Sequence, residues 1–470
     1  MSTSPASNPA WRAAAPLARS IAGSMSIGVL VFVALGGACG RSDLMVSSHQ
    51  DAGAHASDGS PAITASNTSR PSMDGECPEG LTPCGTGEAL RCYDVSRSKD
   101  HCGACGHACA LGIACQAGAC RQYRCKGGLT FKALPFTSTS ADAQASGSYP
   151  YHPDLGDFDG DGILDLVGIA KLQDPMSLLY GAGDGTFPTH QVIGSDTQTW
   201  QAVAADVDGD GLLDLTSITG DESAVTVRRG TGNRNPPLGE PVAYATSKVP
   251  SSLLLADFDA DGRLDLVTRE IGALELWRGQ AAGRFERQAM LDTRDLSWSP
   301  ASFKDVPLAT DWNGDGRLDL VYGASGSQRY RPNRGDGSFD QEVSCVFLAG
   351  AVGDLDHDGR PDLISGSNLM LGIDGCHAAK IVPLTNWPEF AGVALADLDG
   401  DDNLDLVADA DTKVIVRVGD GKGGLAQPLS LPATMADMSL FLFGDLNQDG
   451  KLDFIFVRPE GWGVFLNTCP

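Results

Sequence analysis

Positive charge is what this sequence is shortest of: 34 lysines and arginines face 60 aspartates and glutamates, a formal charge of −26. A nucleic-acid binder gains its affinity by neutralising phosphates, so this balance argues against that class of partner. Helical periodicity is missing as well, since no long stretch brings apolar residues back every three to four positions. After residue 38 no run is apolar enough to cross a bilayer. Catalytic signatures are scarce: there is no Gly-x-Ser-x-Gly elbow, no His-Glu-x-x-His pair and no phosphate-binding glycine loop. From residue 125 onward the only histidines are His152, His190, His357 and His377. What is abundant is glycine, 58 residues, in a chain that is 42% hydrophobic and only 20% charged. That mixture suits an all-β protein with many tight turns.

The first 38 residues read as a signal peptide. Arg12 and Arg19 precede an apolar run from Ile21 to Ala38, which ends in the small residues Gly36, Gly37 and Ala38 before Cys39. This ending resembles a bacterial lipoprotein box, in which the cysteine after the cleavage point carries the lipid. Leu35 sits one position further from Cys39 than that pattern prefers, so ordinary cleavage and a retained anchor stay open as the alternatives. The expected location is an outer-membrane or cell-surface lipoprotein, with a secreted or periplasmic protein as the alternative. Residues 39–76, rich in Ser, Ala, Gly and Asp, read as a flexible linker.

There are 13 cysteines, and setting Cys39 aside leaves an even 12, as expected of an oxidised exported chain. Eight lie between Cys77 and Cys120, in a segment (77–124) too small to be held by a hydrophobic core, so disulfides must hold it. The run Cys102-Gly-Ala-Cys105-Gly-His-Ala-Cys109, followed by Cys115 and Cys120, resembles the stigma-specific cysteine-rich family; the likeness implies a small disulfide knot and no activity. A zinc site using Cys102 and Cys105 with His101 or His107 is the weaker reading, because export favours disulfides.

From residue 125 to 470 the sequence repeats itself. The unit is Asp-x-Asp/Asn-x-Asp-Gly-x-x-Asp-Leu, beginning at Asp157, Asp206, Asp257, Asp311, Asp354, Asp397 and Asp445, at intervals of 43 to 54 residues. A short apolar run precedes each loop, and an extended apolar segment, an alternating segment and a Gly-rich turn follow it. Four short strands in this span make one propeller blade.

Side-chain oxygens at loop positions 1, 3, 5 and 9 and a backbone carbonyl at 7 form the donor set of a hard cation that takes six to eight oxygens. In the first loop these come from Asp157, Asp159, Asp161 and Asp165, with Ile163 offering its carbonyl; in the second from Asp206, Asp208, Asp210, Leu212 and Asp214. The third uses Asp257, Asp259, Asp261, Arg263 and Asp265, and the fourth Asp311, Asn313, Asp315, Arg317 and Asp319. The fifth uses Asp354, Asp356, Asp358, Arg360 and Asp362, the sixth Asp397, Asp399, Asp401, Asn403 and Asp405, and the seventh Asp445, Asn447, Asp449, Lys451 and Asp453. Carboxylates this dense repel one another unless a cation lies between them, and calcium suits the set better than magnesium. Up to seven Ca2+ ions are expected. The sixth loop is the least secure, since Asp402 replaces the turn glycine. Position 12 never carries the glutamate of an EF-hand.

The pattern resembles the FG-GAP and VCBS repeat families, known from integrin α-chain heads and bacterial surface proteins. The resemblance implies a seven-bladed propeller with calcium in the loop joining the first two strands of each blade. Closing such a ring requires a fourth strand for the last blade, and residues 128–135, just before the first loop, supply it. On that reading Cys125 pairs with Cys469 as a clasp, leaving Cys345 with Cys376. The function expected is a non-catalytic, monomeric binding module for glycans or proteins, with the ligand on the face opposite the calcium loops. Tyr149, Tyr151, Trp200, Trp298 and Trp387, in the connections entering the blades, are the candidate stacking residues, with packing between blades as their other reading. An extracellular polysaccharide lyase or hydrolase on the same scaffold is the alternative. Arg334-Gly335-Asp336 falls in an ordinary inter-strand turn of the repeat.

Overall fold

The computed structural model describes residues 123–138, 152–169, 176–193, 199–219, 222–293, 306–324, 327–347, 350–385, 392–410, 413–433, 440–458 and 461–470, with short strands at 28–29, 68–69, 82–84, 91–93, 113–116 and 119–122. The signal-peptide and linker readings, Cys39 and most of the cysteine-rich segment lie outside the described residues. Among the described residues there is no helix long and apolar enough to cross a membrane, and every named element is a strand.

The strands from Phe131 to Asn467 form seven antiparallel four-stranded blades, and Gly28–Val29 adds in parallel to the inner strand Gly392–Ala396. Blade one is Asp154–Gly156, Asp165–Ile169, Ser177–Tyr180 and Thr189–Val192, from the inner strand outward. Blade two is Thr199–Ala205, Asp214–Thr219, Ala224–Arg228 and Val242–Ala245. Blade three is Ser252–Ala256, Asp265–Glu270, Ala273–Gln280 and Arg284–Asp292. Blade four is Leu308–Thr310, Asp319–Ala324, Ser327–Arg331 and Val343–Cys345. Blade five is Ala351–Gly353, Asp362–Ser365, Asn368–Asp374 and His377–Pro383. Blade six is Gly392–Ala396, Asp405–Ala410, Lys413–Arg417 and Leu429–Pro432. Blade seven is Leu440–Gly444, Asp453–Arg458 and Gly461–Asn467, completed by Phe131–Ala133 from the other end of the repeat region.

Burial explains the residue types. Second strands such as Asp265–Glu270 and Asp453–Arg458 are buried along their whole length because a neighbouring blade covers each face. Outer strands such as Arg284–Asp292 are mostly exposed and correspondingly polar. The core is seven apolar clusters, each shared by two adjacent blades. One of them joins Leu166 and Leu179 of blade one to Ile455, Trp462 and Val464 of blade seven, so the ring is closed by packing as well as by hydrogen bonds. The position-2 residue of each loop fills one of these seams. Phe158, Val207, Phe258, Trp312, Leu355, Leu398 and Leu446 are all buried, and the Trp312 indole N–H donates to the Gly375 carbonyl of the next blade at 2.6 Å.

The closing strand pairs Phe131 with Asn467 and Ala133 with Phe465. Cys125 is bonded to Cys469 beside it, with Cα atoms 5.6 Å apart. Cys345, on the outer strand of blade four, is bonded to Cys376 in a turn of blade five.

Candidate metal centres

All seven Asp loops leave an inner strand and enter the second strand of the same blade, and one hydrogen-bond pattern shapes them. The position-1 carboxylate accepts the position-6 N–H on one oxygen: Asp157 from Gly162 at 2.8 Å, Asp311 from Gly316 at 2.7 Å and Asp445 from Gly450 at 2.9 Å are examples. Its other oxygen accepts the position-5 N–H, as from Asp161 at 3.0 Å. The position-5 carboxylate accepts the position-7 N–H, as Asp161 does from Ile163 at 2.8 Å and Asp449 does from Lys451 at 3.0 Å. Each acid keeps lone pairs after these bonds, since a carboxylate offers about four acceptor sites.

Position 9 ties the loop to the body of the blade. Asp165 accepts the Phe158 N–H at 3.1 Å and the Gly181 N–H, beyond the third strand, at 3.0 Å. Asp362 does the same with Leu355 and Gly372, both at 2.7 Å, and Asp453 with Leu446 at 3.0 Å and Asn467 at 2.7 Å. Even with two N–H donors, burial pushes these acids up: Asp165, Asp405 and Asp453 to about 8, Asp362 to about 7, and Asp265 and Asp319 to about 6. Asp157 is also raised well above the ordinary carboxylate range, by burial first and then by the charges of Asp161 and Asp165. Burial and crowding on this scale favour the ionised form only if positive charge is added.

The acids converge as a cation site requires. Carboxylate oxygens lie within 4.8 Å of one another for Asp157, Asp159 and Asp165; for Asp257, Asp259 and Asp265; for Asp354, Asp356 and Asp362; and for Asp397, Asp399 and Asp405. In the second loop the trio is Asp206, Asp208 and Asp210 instead. Loops four and seven hold Asn313 and Asn447 at position 3, each accepting the position-5 N–H at 2.9 Å. In loops five and six one buried oxygen at position 3, Oδ1 of Asp356 and of Asp399, accepts no hydrogen bond. Burial raises both acids, and the charges of Asp401 and Asp397 help take Asp399 to about 6. A buried carboxylate oxygen with lone pairs to spare fits a divalent cation.

Among the described residues, three arginines from outside the loops reach loop carboxylates. Arg234, stacked on the Tyr180 ring at 4.1 Å, lies 3.5 Å from Asp159. Arg278 pairs with Asp259, and Arg229 reaches both Asp208 and Asp214.

Some of these features have no trace in the repeat unit as read from sequence. Position 4 takes a positive φ in every loop, and three non-glycine residues adopt it: Ala260 (56°), His357 (59°) and Gln448 (58°). Glycine at that position in the other four loops was the available signal. His357 and Gln448 then reach the neighbouring loop, His357 Nε2 lying 2.9 Å from Asn403 Oδ1 and Gln448 Nε2 donating to the Gly162 carbonyl at 3.2 Å. Asp402 takes the left-handed turn at position 6 (φ 71°), and its N–H still bonds Asp397 at 2.8 Å. The incoming chain lies on this sixth loop. The Cys125 N–H donates to the Asp399 carbonyl at 2.8 Å, and a Cβ on Gly400 would stand 1.5 Å from the Tyr123 carbonyl oxygen.

Of the candidate stacking residues, Trp200 is partly buried against the cluster between blades two and three. Tyr149, Tyr151, Trp298 and Trp387 lie outside the described residues. Arg334 is paired with Asp340 at 2.6 Å in its turn.

The FG-GAP-like repeat family matches residues 157–217 and 311–365, which run from loop one through loop two and from loop four through loop five. The chain therefore carries FG-GAP-like repeats on a seven-bladed propeller. No curated protein matches it. Among solved structures it is similar to an Agrocybe aegerita protein in a structure of specific recognition of non-reducing terminal N-acetylglucosamine, at 18% identity and TM-score 0.47, covering 70% of this chain and 91% of that one. It is also similar to BBS1N in complex with ARL6DN, at 12% identity and TM-score 0.49, covering 72% and 97% respectively.

Proposed function

We propose that this chain is a cell-surface, calcium-binding propeller that acts as a non-catalytic binding module for glycans or proteins, anchored through lipid on Cys39. The observation that carries the calcium reading is the set of converged, buried acids, above all the hydrogen-bond-free oxygens of Asp356 and Asp399. The side chains at positions 1, 3, 5 and 9, with the position-7 carbonyl, would hold the ion. Bound there, calcium supplies the positive charge that lets neighbouring carboxylates stay ionised at neutral pH. The chain's own part is to hold position 1 with backbone N–H groups and to lock position 9 to the third strand.

A binding role is supported by the scaffold, by the lack of a nucleophile or zinc motif, and by acids that the cation reading already employs. The face opposite the loops, formed by the connections between blades, is the proposed ligand surface. A glycan array probed with the full chain, once in calcium and once in EDTA, together with a product assay, tests the reading. Calcium-dependent retention without product is the expected result. Release of shortened or unsaturated sugars would assign the lyase or hydrolase function instead. Metal analysis of the purified chain that finds no calcium would sink the cation reading.

A further inference from the structure

We propose that Arg229 is the resident cation of the second loop, so that this loop keeps its shape without a divalent ion. The proposal rests on the calcium reading of the other loops and marks where that reading stops. Arg229 follows the third strand of blade two, immediately before Gly230, whose N–H donates to Asp214 Oδ1 at 2.8 Å. Its Nη1 donates to Asp214 Oδ2 at 2.7 Å and lies 3.5 Å from Asp208 Oδ2. Its Nη2 donates to the carbonyls of Ala282, at 2.8 Å, and Gly283, both in the turn of the next blade. The guanidinium thus bridges positions 3 and 9 from one side and is clamped by two carbonyls from the other, a use of its planar fork that lysine could not copy.

The surroundings are shaped for it. Gly283 has a φ of 53°, and a Cβ there would sit 2.2 Å from Arg229 Nη1, so the guanidinium occupies space that a side chain at 283 would contest. The acids have responded too. In loops one, three, five and six the converging trio is positions 1, 3 and 9, whereas in loop two it is Asp206, Asp208 and Asp210, without Asp214. A divalent ion entering loop two would meet a fixed positive charge and a position-9 carboxylate already engaged with it. Arg278, the corresponding residue of blade three, does not have this effect. It pairs with Asp259 and lies 3.7 Å from Asp261, it is 41% exposed, and the trio of Asp257, Asp259 and Asp265 survives beside it.

Crystals of the full chain soaked in terbium and read by anomalous scattering decide the matter. The expected map has peaks in loops three, five and six and none in loop two, and Arg229→Gln gains a peak there. A loop-two peak in the unaltered chain as strong as that of loop five overturns the proposal, as does an Arg229→Gln map in which loop two stays empty while loop five is filled. Absence of peaks in every loop overturns the calcium reading itself. If Arg229→Gln does not fold, the map of the unaltered chain still decides.

Discussion

Loops two and five carry the same acids, aspartate at positions 1, 3, 5 and 9, yet the structure treats them differently. In loop two the residue after the third strand is Arg229, which takes hold of Asp214 and approaches Asp208. In loop five the corresponding residue is Leu371, Asp362 holds only backbone N–H groups among its hydrogen bonds, and Asp356 keeps a buried oxygen without one. The loop sequence sets which oxygens converge. The third strand of the blade sets whether positive charge is already there.

Chelation is the most forceful way to break this comparison. A site filled at a hundred times its Kd contributes about 2.7 kcal/mol, so three such sites, in loops three, five and six, together amount to about 8 kcal/mol. EDTA treatment of the full chain lowers Tm accordingly, and hydrogen exchange accelerates most in loops five and six and least in loop two. Uniform acceleration across the seven loops would erase the distinction drawn here.

Next in size are the position-9 acids. Asp362→Ala and Asp214→Ala each strand two buried N–H groups, at a cost of about 3 kcal/mol. Denaturant titration in calcium and in EDTA separates them. The penalty of Asp362→Ala grows in calcium, while that of Asp214→Ala is the same in both. Smaller still is Asp356→Asn, which removes a carboxylate with one buried oxygen, Oδ1, that accepts no hydrogen bond. It stabilises the EDTA-treated chain by about 1 kcal/mol and destabilises the calcium-loaded one, an inversion of sign that Asp208→Asn does not share.

A test of a different kind is pH. Asp165, Asp405 and Asp453 stand at about 8 in the folded, ion-free state against an ordinary value of 3.8. The folded state therefore holds their protons more tightly, and the stability they contribute is full below about pH 4 and lost as pH rises toward 8. The ion-free chain gains stability on acidification from pH 8 to 5. The calcium-loaded chain loses it, because protonation expels the ion. Melting curves that move in the same direction with pH in both states would show that these acids do not meet a cation.

The recurring Asp loops made blade number, loop placement and the strand that completes blade seven legible before any coordinates, because each depends on local periodicity or on a missing strand. Arg229 was not legible. It stands 15 positions beyond Asp214, outside the repeated unit, and its partner carbonyls come from another blade. The left-handed position 4 was hidden by Ala260, His357 and Gln448, which tolerate a backbone angle that glycine elsewhere advertises. Asn467 ends the third strand of blade seven. It also sends its side-chain amide to the Leu398 carbonyl of the preceding blade at 2.7 Å, as Asn333 does to Phe258. Contacts between blades are what a linear repeat does not spell out.

The pairing of Phe131–Ala133 with Gly461–Asn467 has a consequence for how the molecule is made. The first of these segments leaves the ribosome more than three hundred positions ahead of its mate, so the disc stays ajar until Gly461–Asn467 has emerged. Once shut, it has no privileged first blade. A rearranged gene that opens the circle at an exposed turn of blade three, and joins the old ends with a short spacer, should yield the same disc strung in a different order.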